Sequence, residues 1–276
     1  MSQSPQSQKA EAFRQLHHGP KLLLLINAWD VASSRILEAA GVSAIATTSA
    51  GIASSLGYPD GEQVSRLEML EVVARIAKAV QLPVTADAEA GYGFTPEDAA
   101  RTAREVIASG AVGMNFEDST GDQGRPLLDM TLQVERITAI RQAAKEAGVP
   151  LVLNARTDPY LLPAFPGDRY AETARRLAAY RDAGADCVFA PGLSDLKAIS
   201  RLVAELKCPL NILAGPGSPS LQEFQQAGVA RVSLGSAPMR ATLGLLQRMA
   251  KELASTGTYQ TLEGAPTHSE VNRLME

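Results

Sequence analysis

The chain switches between two hydrophobic periods eight times, and this alternation restricts its fold more than any single motif. Apolar runs of strand length occupy 21–27, 43–48, 84–87, 113–116, 150–155, 186–190, 209–213 and 230–234. Between them lie stretches whose apolar residues recur at helical spacing, such as 31–40, 65–80, 131–147, 168–183 and 195–206. Several helices close on the same pair, Ala40-Gly41, Ala147-Gly148, Ala183-Gly184 and Ala227-Gly228, with glycine as the C-terminal stop. Ser65 is read as an N-cap, and Thr95-Pro96-Glu97-Asp98 as a cap with proline in the first turn. A Gly- and Ser-rich loop is expected after the second strand.

Strands joined through helices run parallel, and eight such units in succession predict a (β/α)8 TIM barrel. A doubly wound sheet fits less well, because eight repeats are present and no Gly-x-Gly-x-x-Gly turn follows the first strand. A barrel of this kind accommodates 276 residues as one domain. The expected division is a loose tail over 1–10, the barrel over 11–255, and a C-terminal helical tail over 256–276. That tail is too small to fold alone and is expected to dock on a neighbouring subunit.

Composition limits the partners. A net charge of -4 without a long basic run argues against nucleic acid and anionic membranes, and no apolar run approaches transmembrane length. The polar first ten residues lack the apolar core of a secretory signal, which points to a cytoplasmic protein. The two cysteines, Cys187 and Cys208, are read as reduced thiols in or beside strands.

In a (β/α)8 barrel the chemistry sits at the C-terminal ends of the strands. Those ends carry Asn27-Ala28-Trp29-Asp30, Thr48-Ser49-Ala50-Gly51, Asp87 with Glu89, Glu117-Asp118, Arg156-Thr157-Asp158, Asn211 and Gly235-Ser236. Asp87 and Glu89 are two apart, which places them on one face if the strand continues through both. Crowded carboxylates favour a hard divalent cation with oxygen ligands, and an arginine opposite them suits an anionic substrate. The bland alternatives are a solvated loop for the two acids and, for Arg156, an ion pair with Asp158 or Glu117 that only holds the mouth together. The three histidines, at positions 17, 18 and 268, lie away from the strand ends, which disfavours a Ser-His-Asp triad or a His-ligated zinc site.

Five segments in order, Asn27-Ala28-Trp29-Asp30, Thr48-Ser49-Ala50-Gly51, 86–93, Phe116-Glu117-Asp118 and Ala155-Arg156-Thr157-Asp158, make the chain resemble the isocitrate lyase and phosphoenolpyruvate mutase superfamily. The resemblance implies a Mg2+-dependent enzyme, with Mn2+ as the alternative ion. The implied chemistry is cleavage of a carbon–carbon bond, or decarboxylation, in a small 2-oxo or 2-hydroxy dicarboxylate through an enolate-like intermediate. By position it assigns the metal to Asp87, Glu89 and Glu117, with Glu89 standing where the family usually has aspartate. It gives the substrate to Trp29, Ser49, Ala50, Gly51, Asp87, Arg156 and Asn211, and catalysis to Asp60, Glu117 and Arg156. It also implies a homo-oligomer, expected here as a tetramer.

One segment departs from that pattern. The cleaving lyases of the superfamily carry a Lys-x-Cys-Gly lid, whereas 119–127 reads Ser-Thr-Gly-Asp-Gln-Gly-Arg-Pro-Leu, without cysteine. Arg125 in it is read mainly as an exposed loop charge. That departure motivates one alternative on the same fold, a non-catalytic binder of a 2-oxo acid such as 2-oxoglutarate; a phosphonopyruvate-type mutase or hydrolase is a second, disfavoured because the segment also lacks the Asn-rich gating motif of that chemistry. A phosphate-handling barrel using Gly215-Pro216-Gly217 and Gly235-Ser236 is the third.

Overall fold

The computed structural model describes residues 4–276. Nine short strands make one parallel sheet: β1 (Leu23–Leu25), β2 (Asn27–Ala28), β3 (Ile45–Thr47), β4 (Val84–Asp87), β5 (Gly113–Glu117), β6 (Val152–Arg156), β7 (Cys187–Phe189), β8 (Leu210–Leu213) and β9 (Arg231–Ser233). β1 and β2 are two halves of the expected first strand, parted at Ile26. β1 pairs with β9 and β2 with β3, while β3 to β9 pair in chain order. The result is the (β/α)8 barrel that the alternation predicts.

The parting at Ile26 leaves a seam that Asn27 spans with its side chain. Its Oδ1 accepts the N–H groups of Leu234 and Gly235 at 3.0 and 2.9 Å, and its Nδ2 donates to the Thr47 carbonyl at 2.8 Å. One buried amide thereby ties the end of β9 to β3 and satisfies backbone groups that the broken ladder would strand.

Helices follow the strands as expected: α1 (Pro5–Leu16), α2 (Val31–Ala39), α3 (Ser49–Leu56), α4 (Arg66–Ala79), α5 (Pro96–Ala108), α6 (Met130–Glu146), α7 (Arg169–Asp182), α8 (Leu196–Leu206), α9 (Leu221–Gln226), α10 (Ala237–Ser255) and α11 (His268–Met275). Ser65 and Thr95 both cap as predicted. Each closes a capping box, with Glu68 and Asp98 respectively, and Pro96 opens α5.

Two expectations are corrected. The Gly- and Ser-rich stretch after β3 is not a loop but α3. Thr48 caps it, Gly57 ends it in left-handed backbone, and Ile52 and Ala53 are buried beneath it. Helix propensity is a weak prior, and the cap and buried face outweigh it here. The loose tail expected over 1–10 is, from Pro5 on, part of α1; residues 1–3 lie outside the described residues. The Ser7 hydroxyl donates to the Gly148 carbonyl, Gln6 Nε2 donates to the carbonyls of Ile107 and Ala111, and Phe13 fills the space that a side chain at Gly113 would take. α1 therefore covers the N-terminal end of the barrel, opposite the strand ends that carry the chemistry. At the other end of the chain, α11 lies against α2 of the same molecule. Among the described residues no helix is long and apolar enough to cross a membrane.

Candidate active site

A cavity of about 200 Å3 opens at the C-terminal ends of the strands. Asp87 stands on its wall at the end of β4, held on both carboxylate oxygens. Oδ2 accepts the Ser49 N–H at 2.9 Å, and Oδ1 accepts Asn115 Nδ2 at 2.8 Å. Asn115 is fixed in turn by Asn154, whose Nδ2 donates to Asn115 Oδ1 at 2.9 Å, and the Asp87 N–H donates to Thr47 Oγ1. Adjacent strands thus orient one carboxylate on the cavity wall, each adding a polar residue.

Ser49 and Ala50, which also line the cavity, form the first turn of α3. A helix N-terminus presents N–H groups and the positive end of its dipole, which favours an anion. Gly51 does not line the cavity; it lets this turn sit close to the rest of the barrel. A Cβ there would meet Thr48 Cγ2 at 2.6 Å and Trp29 Cβ at 2.9 Å. Trp29 lies behind the turn, in a separate apolar cavity with Ile36 and Pro238. The sequence assigned Trp29 and Gly51 to the substrate, and the structure places both one layer back, as supports of the α3 turn.

The two-residue spacing of Asp87 and Glu89 does not put them on one face. The strand ends at Asp87, and Glu89 takes left-handed backbone, φ 49°. Glu62 (φ 57°) and Tyr92 (φ 56°) do the same. These three residues bond one another. The Glu62 N–H donates to Glu89 Oε2 at 2.7 Å, the Tyr92 N–H to Glu62 Oε1 at 2.7 Å, and the Tyr92 hydroxyl to Glu89 Oε1 at 3.1 Å. Left-handed backbone costs a non-glycine residue roughly 1–2 kcal/mol, so the triangle holds strain at the lip of the site. From below, Arg136 of α6 clamps the same loop: its guanidinium donates to the carbonyls of Ala90 and Gly93 and stacks 4.6 Å over the Phe116 ring. Gly91 (φ 92°) passes against that ring, where a Cβ would meet Phe116 Cε2 at 2.6 Å.

Across the mouth, Arg156 lines the cavity and is pinned on its far side. Nε and Nη2 reach Asp158 at 2.6 and 2.7 Å, and Nη1 reaches Glu117 Oε2 at 2.6 Å. Both ion pairs that the bland reading offered as alternatives are present. They use three of the guanidinium's five N–H groups and leave two for a ligand. Although burial pulls its pKa down, Glu117 and Asp158 hold it above the ordinary value. Asp118, next to Glu117, is fully buried among Thr157, Arg176 and Tyr180 and supports the strand ends from behind. Asn211 is buried on β8, lines the cavity, and is bonded to Ser233.

The carboxylates crowd one another. Burial, with the neighbouring Asp87 charge, raises Glu89 to about 7. Burial and then Asp87 also raise Asp60, which lines the cavity, while the Gly61 N–H and the Ser49 side chain restrain the rise. Burial raises Glu117 well above the usual range against the pull of Arg156. Glu117 has Arg156 as its counter-charge, but among the described residues no ion pair reaches Asp60, Asp87 or Glu89, and a divalent cation would supply the missing positive charge. The donor set is all oxygen, as Mg2+ prefers, but among the described residues no three acidic, imidazole or thiol groups enclose an ion by themselves. The residues present fit a hydrated Mg2+ that Asp87, on the cavity wall, would hold; Glu89 and Glu117 are not on that wall.

The cysteines take no part in the cavity. Cys187 is buried in β7 and Cys208 precedes β8; burial raises both thiols, Cys208 to about 11. The segment 119–127 is a short hairpin joined at Ser119 and Leu127, and Arg125 in it is exposed. Glu62, Tyr92, Asn115, Arg136 and the cavity-lining Arg231 were not assigned roles from the sequence. Of these, only Asn115 carried a signal, as a polar residue at a strand end.

Comparison with known proteins agrees with this geometry. The family model for phosphoenolpyruvate phosphomutase matches residues 13–254. A 2-methylisocitrate lyase of Bacillus subtilis is 28% identical over 257 residues, 90% of this chain and 82% of the relative. A solved lyase/mutase-like protein of Burkholderia cenocepacia superposes with a TM-score of 0.92 at 40% identity, covering 98% of this chain and 96% of the other. A solved 2,3-dimethylmalate lyase of the PEP mutase/isocitrate lyase superfamily superposes with a TM-score of 0.86 at 27% identity, covering 97% and 95%. With its barrel, its acid-lined mouth and these relatives, the chain belongs to the phosphoenolpyruvate phosphomutase family, within the phosphoenolpyruvate mutase/isocitrate lyase superfamily of lyases and mutases.

Proposed function

We propose that the protein is a Mg2+-dependent carbon–carbon lyase or decarboxylase acting on a small 2-oxo or 2-hydroxy dicarboxylate through an enolate-like intermediate. The observation that carries this reading is Asp87 on the cavity wall, between the N-terminal turn of α3 and Arg156. Mg2+ held there would polarise the 2-oxygen of the substrate and offset negative charge gathering on it. The Ala50 N–H at the helix N-terminus receives the adjacent carboxylate, beside Ser49, whose N–H holds Asp87 in place. Arg156 gives its two remaining N–H groups to the oxygen on which charge develops, oriented beforehand by Glu117 and Asp158. Asp60, on the wall and raised by burial, takes the proton of a 2-hydroxyl, or for a 2-oxo acid one from water, and delivers it to the carbon freed by bond cleavage. It fills the place left by the missing lid cysteine.

The test is direct. Purified protein with Mg2+ is incubated with oxaloacetate, isocitrate, 2-methylisocitrate, a substituted malate, phosphonopyruvate and 2-oxoglutarate, and products are followed by NMR. Chelator-sensitive cleavage of one dicarboxylate is expected, and Asp87→Ala should reduce it by ~10²-fold or more with the fold intact. Equal turnover in excess chelator would overturn the reading. A phosphonopyruvate product would replace it with the mutase or hydrolase. The absence of cysteine from 119–127 favours a second reading, a 2-oxo acid binding protein, marked by Mg2+-dependent stabilisation without product.

The reading extends to assembly. Leu243 and Leu246 on α10, Tyr259 beyond it and Val271 on α11 are large apolar side chains left exposed along the C-terminal segment. A homo-oligomer, taken as a tetramer, would cover them.

A further inference from the structure

Arg231 is the buried charge that the reading above does not use. It lies on β9 in register with Asn211 of β8 and lines the cavity from the barrel interior. It is 3% exposed, yet its Nε and Nη1 have no hydrogen-bond partner, and no ion pair reaches it among the described residues. The other buried arginines are answered differently. Arg136 is met by backbone carbonyls, Arg141 by Asp186 and the Leu151 carbonyl, and Arg176 by Asp118, Glu172 and the Leu128 carbonyl. A guanidinium taken from water without a partner is among the costlier groups a protein can bury. Burial draws its pKa below the ordinary value against the Cys187 thiol and Asp87, and Asp87 is already engaged by Ser49 and Asn115. The Thr85 hydroxyl oxygen, on β4 and also on the cavity wall, is likewise buried without a partner. Arg231 and Thr85 therefore both line the cavity on whose wall Asp87 stands, and neither has its polar atoms satisfied by the protein.

We infer that Arg231 binds the second carboxylate of a dicarboxylate substrate, and so selects dicarboxylates over monocarboxylates of the same head group. The planar fork of arginine suits a carboxylate bidentately, and Asn211 and Ser233 supply polar neighbours on the same wall. The inference rests on the 2-oxo or 2-hydroxy acid reading of the rim, since that reading places the first carboxylate at α3 and leaves the second to reach Arg231. Nothing in the sequence distinguishes Arg231 from an outward-facing strand charge; the barrel turns it inward.

The experiment compares binding of pyruvate and of 2-oxoglutarate or oxaloacetate, each with Mg2+, by calorimetry and thermal stabilisation. The wild type, Arg231→Met and Arg231→Lys are measured under one buffer. The wild type should favour a dicarboxylate by on the order of 10–100-fold. Arg231→Met should abolish that preference while binding pyruvate as before, and Arg231→Lys should restore part of it. If Arg231→Met fails to fold, arginine-selective 15N NMR of the wild type reads the same contact: the Arg231 Nε signal should shift with a dicarboxylate and not with pyruvate. Unchanged preference in Arg231→Met, or an unmoved Nε signal, overturns the inference and leaves the rim reading standing. Failure of the wild type to bind any of these acids with Mg2+ overturns both.

Discussion

At the scale of single residues, electrostatics decides which group does what. Asp60 and Asp87 share one wall, but Asp87 is held by two donors whereas Asp60 is raised by burial and by Asp87 itself. That division predicts separable losses. Asp60→Asn should lower kcat by about 10²–10⁴-fold, as removal of a proton-transfer group does, while Mg2+-dependent binding of oxalate persists in calorimetry. If oxalate binding disappears as well, Asp60 holds the metal or substrate and moves no proton. A second prediction concerns His17, at the covered end of the barrel. Burial, helped by the Arg231 charge, lowers its pKa from 6.5 to about 3. The unfolded chain then binds more protons than the folded one between those values, so stability falls as pH drops below 6.5. The slope from this group is at most about 1.4 kcal/mol per pH unit. Glu89, raised to about 7, contributes the opposite slope over the same range, so the effect is read as a difference: in urea unfolding between pH 7 and 4.5 the wild type should lose stability relative to His17→Gln as the pH falls.

At the scale of elements, the loop after β4 depends on a helix that follows the next strand. Arg136 of α6 holds the carbonyls of Ala90 and Gly93, and between them run Gly91 and Tyr92 of the strained lip. Arg136→Leu would leave these carbonyls buried without donors, at a cost of about 1–3 kcal/mol each. Denaturant unfolding should register that loss, and Mg2+ affinity should fall with it as Glu89 loses its orientation. The same loop marks the limit of what the sequence discloses. Asp87 is legible because a strand of strict period two delivers it to the mouth. Glu89 is not, because the period stops at Asp87 and a left-handed residue turns the next carboxylate aside. Helix α3 is missed for a related reason: its serines and glycine look like a loop until Thr48 caps them and Ile52 is buried. Strand ends, caps and barrel order are local properties. The partners of Arg136 and Arg231 are set by tertiary closure, and neither residue is marked by its neighbours in the chain.

At the scale of the whole molecule, the C-terminal segment links fold to assembly. α11 rests on α2 of its own chain, while leucines of α10 stay exposed. If the proposed tetramer forms, deleting residues 257–276 should reduce the sedimentation mass and leave the barrel's far-ultraviolet circular dichroism nearly intact. A full-length monomer would end the assembly proposal. The seam at Ile26 has a different consequence, one of time. β1 has β9 as its ladder partner, and Asn27 waits for the N–H of Gly235, 208 residues further on. A ribosome adding ~5–20 residues per second needs roughly 10–40 s to cover that distance. Until then the barrel cannot close at this seam, and the last strand to emerge is the one that completes the pairing of the first.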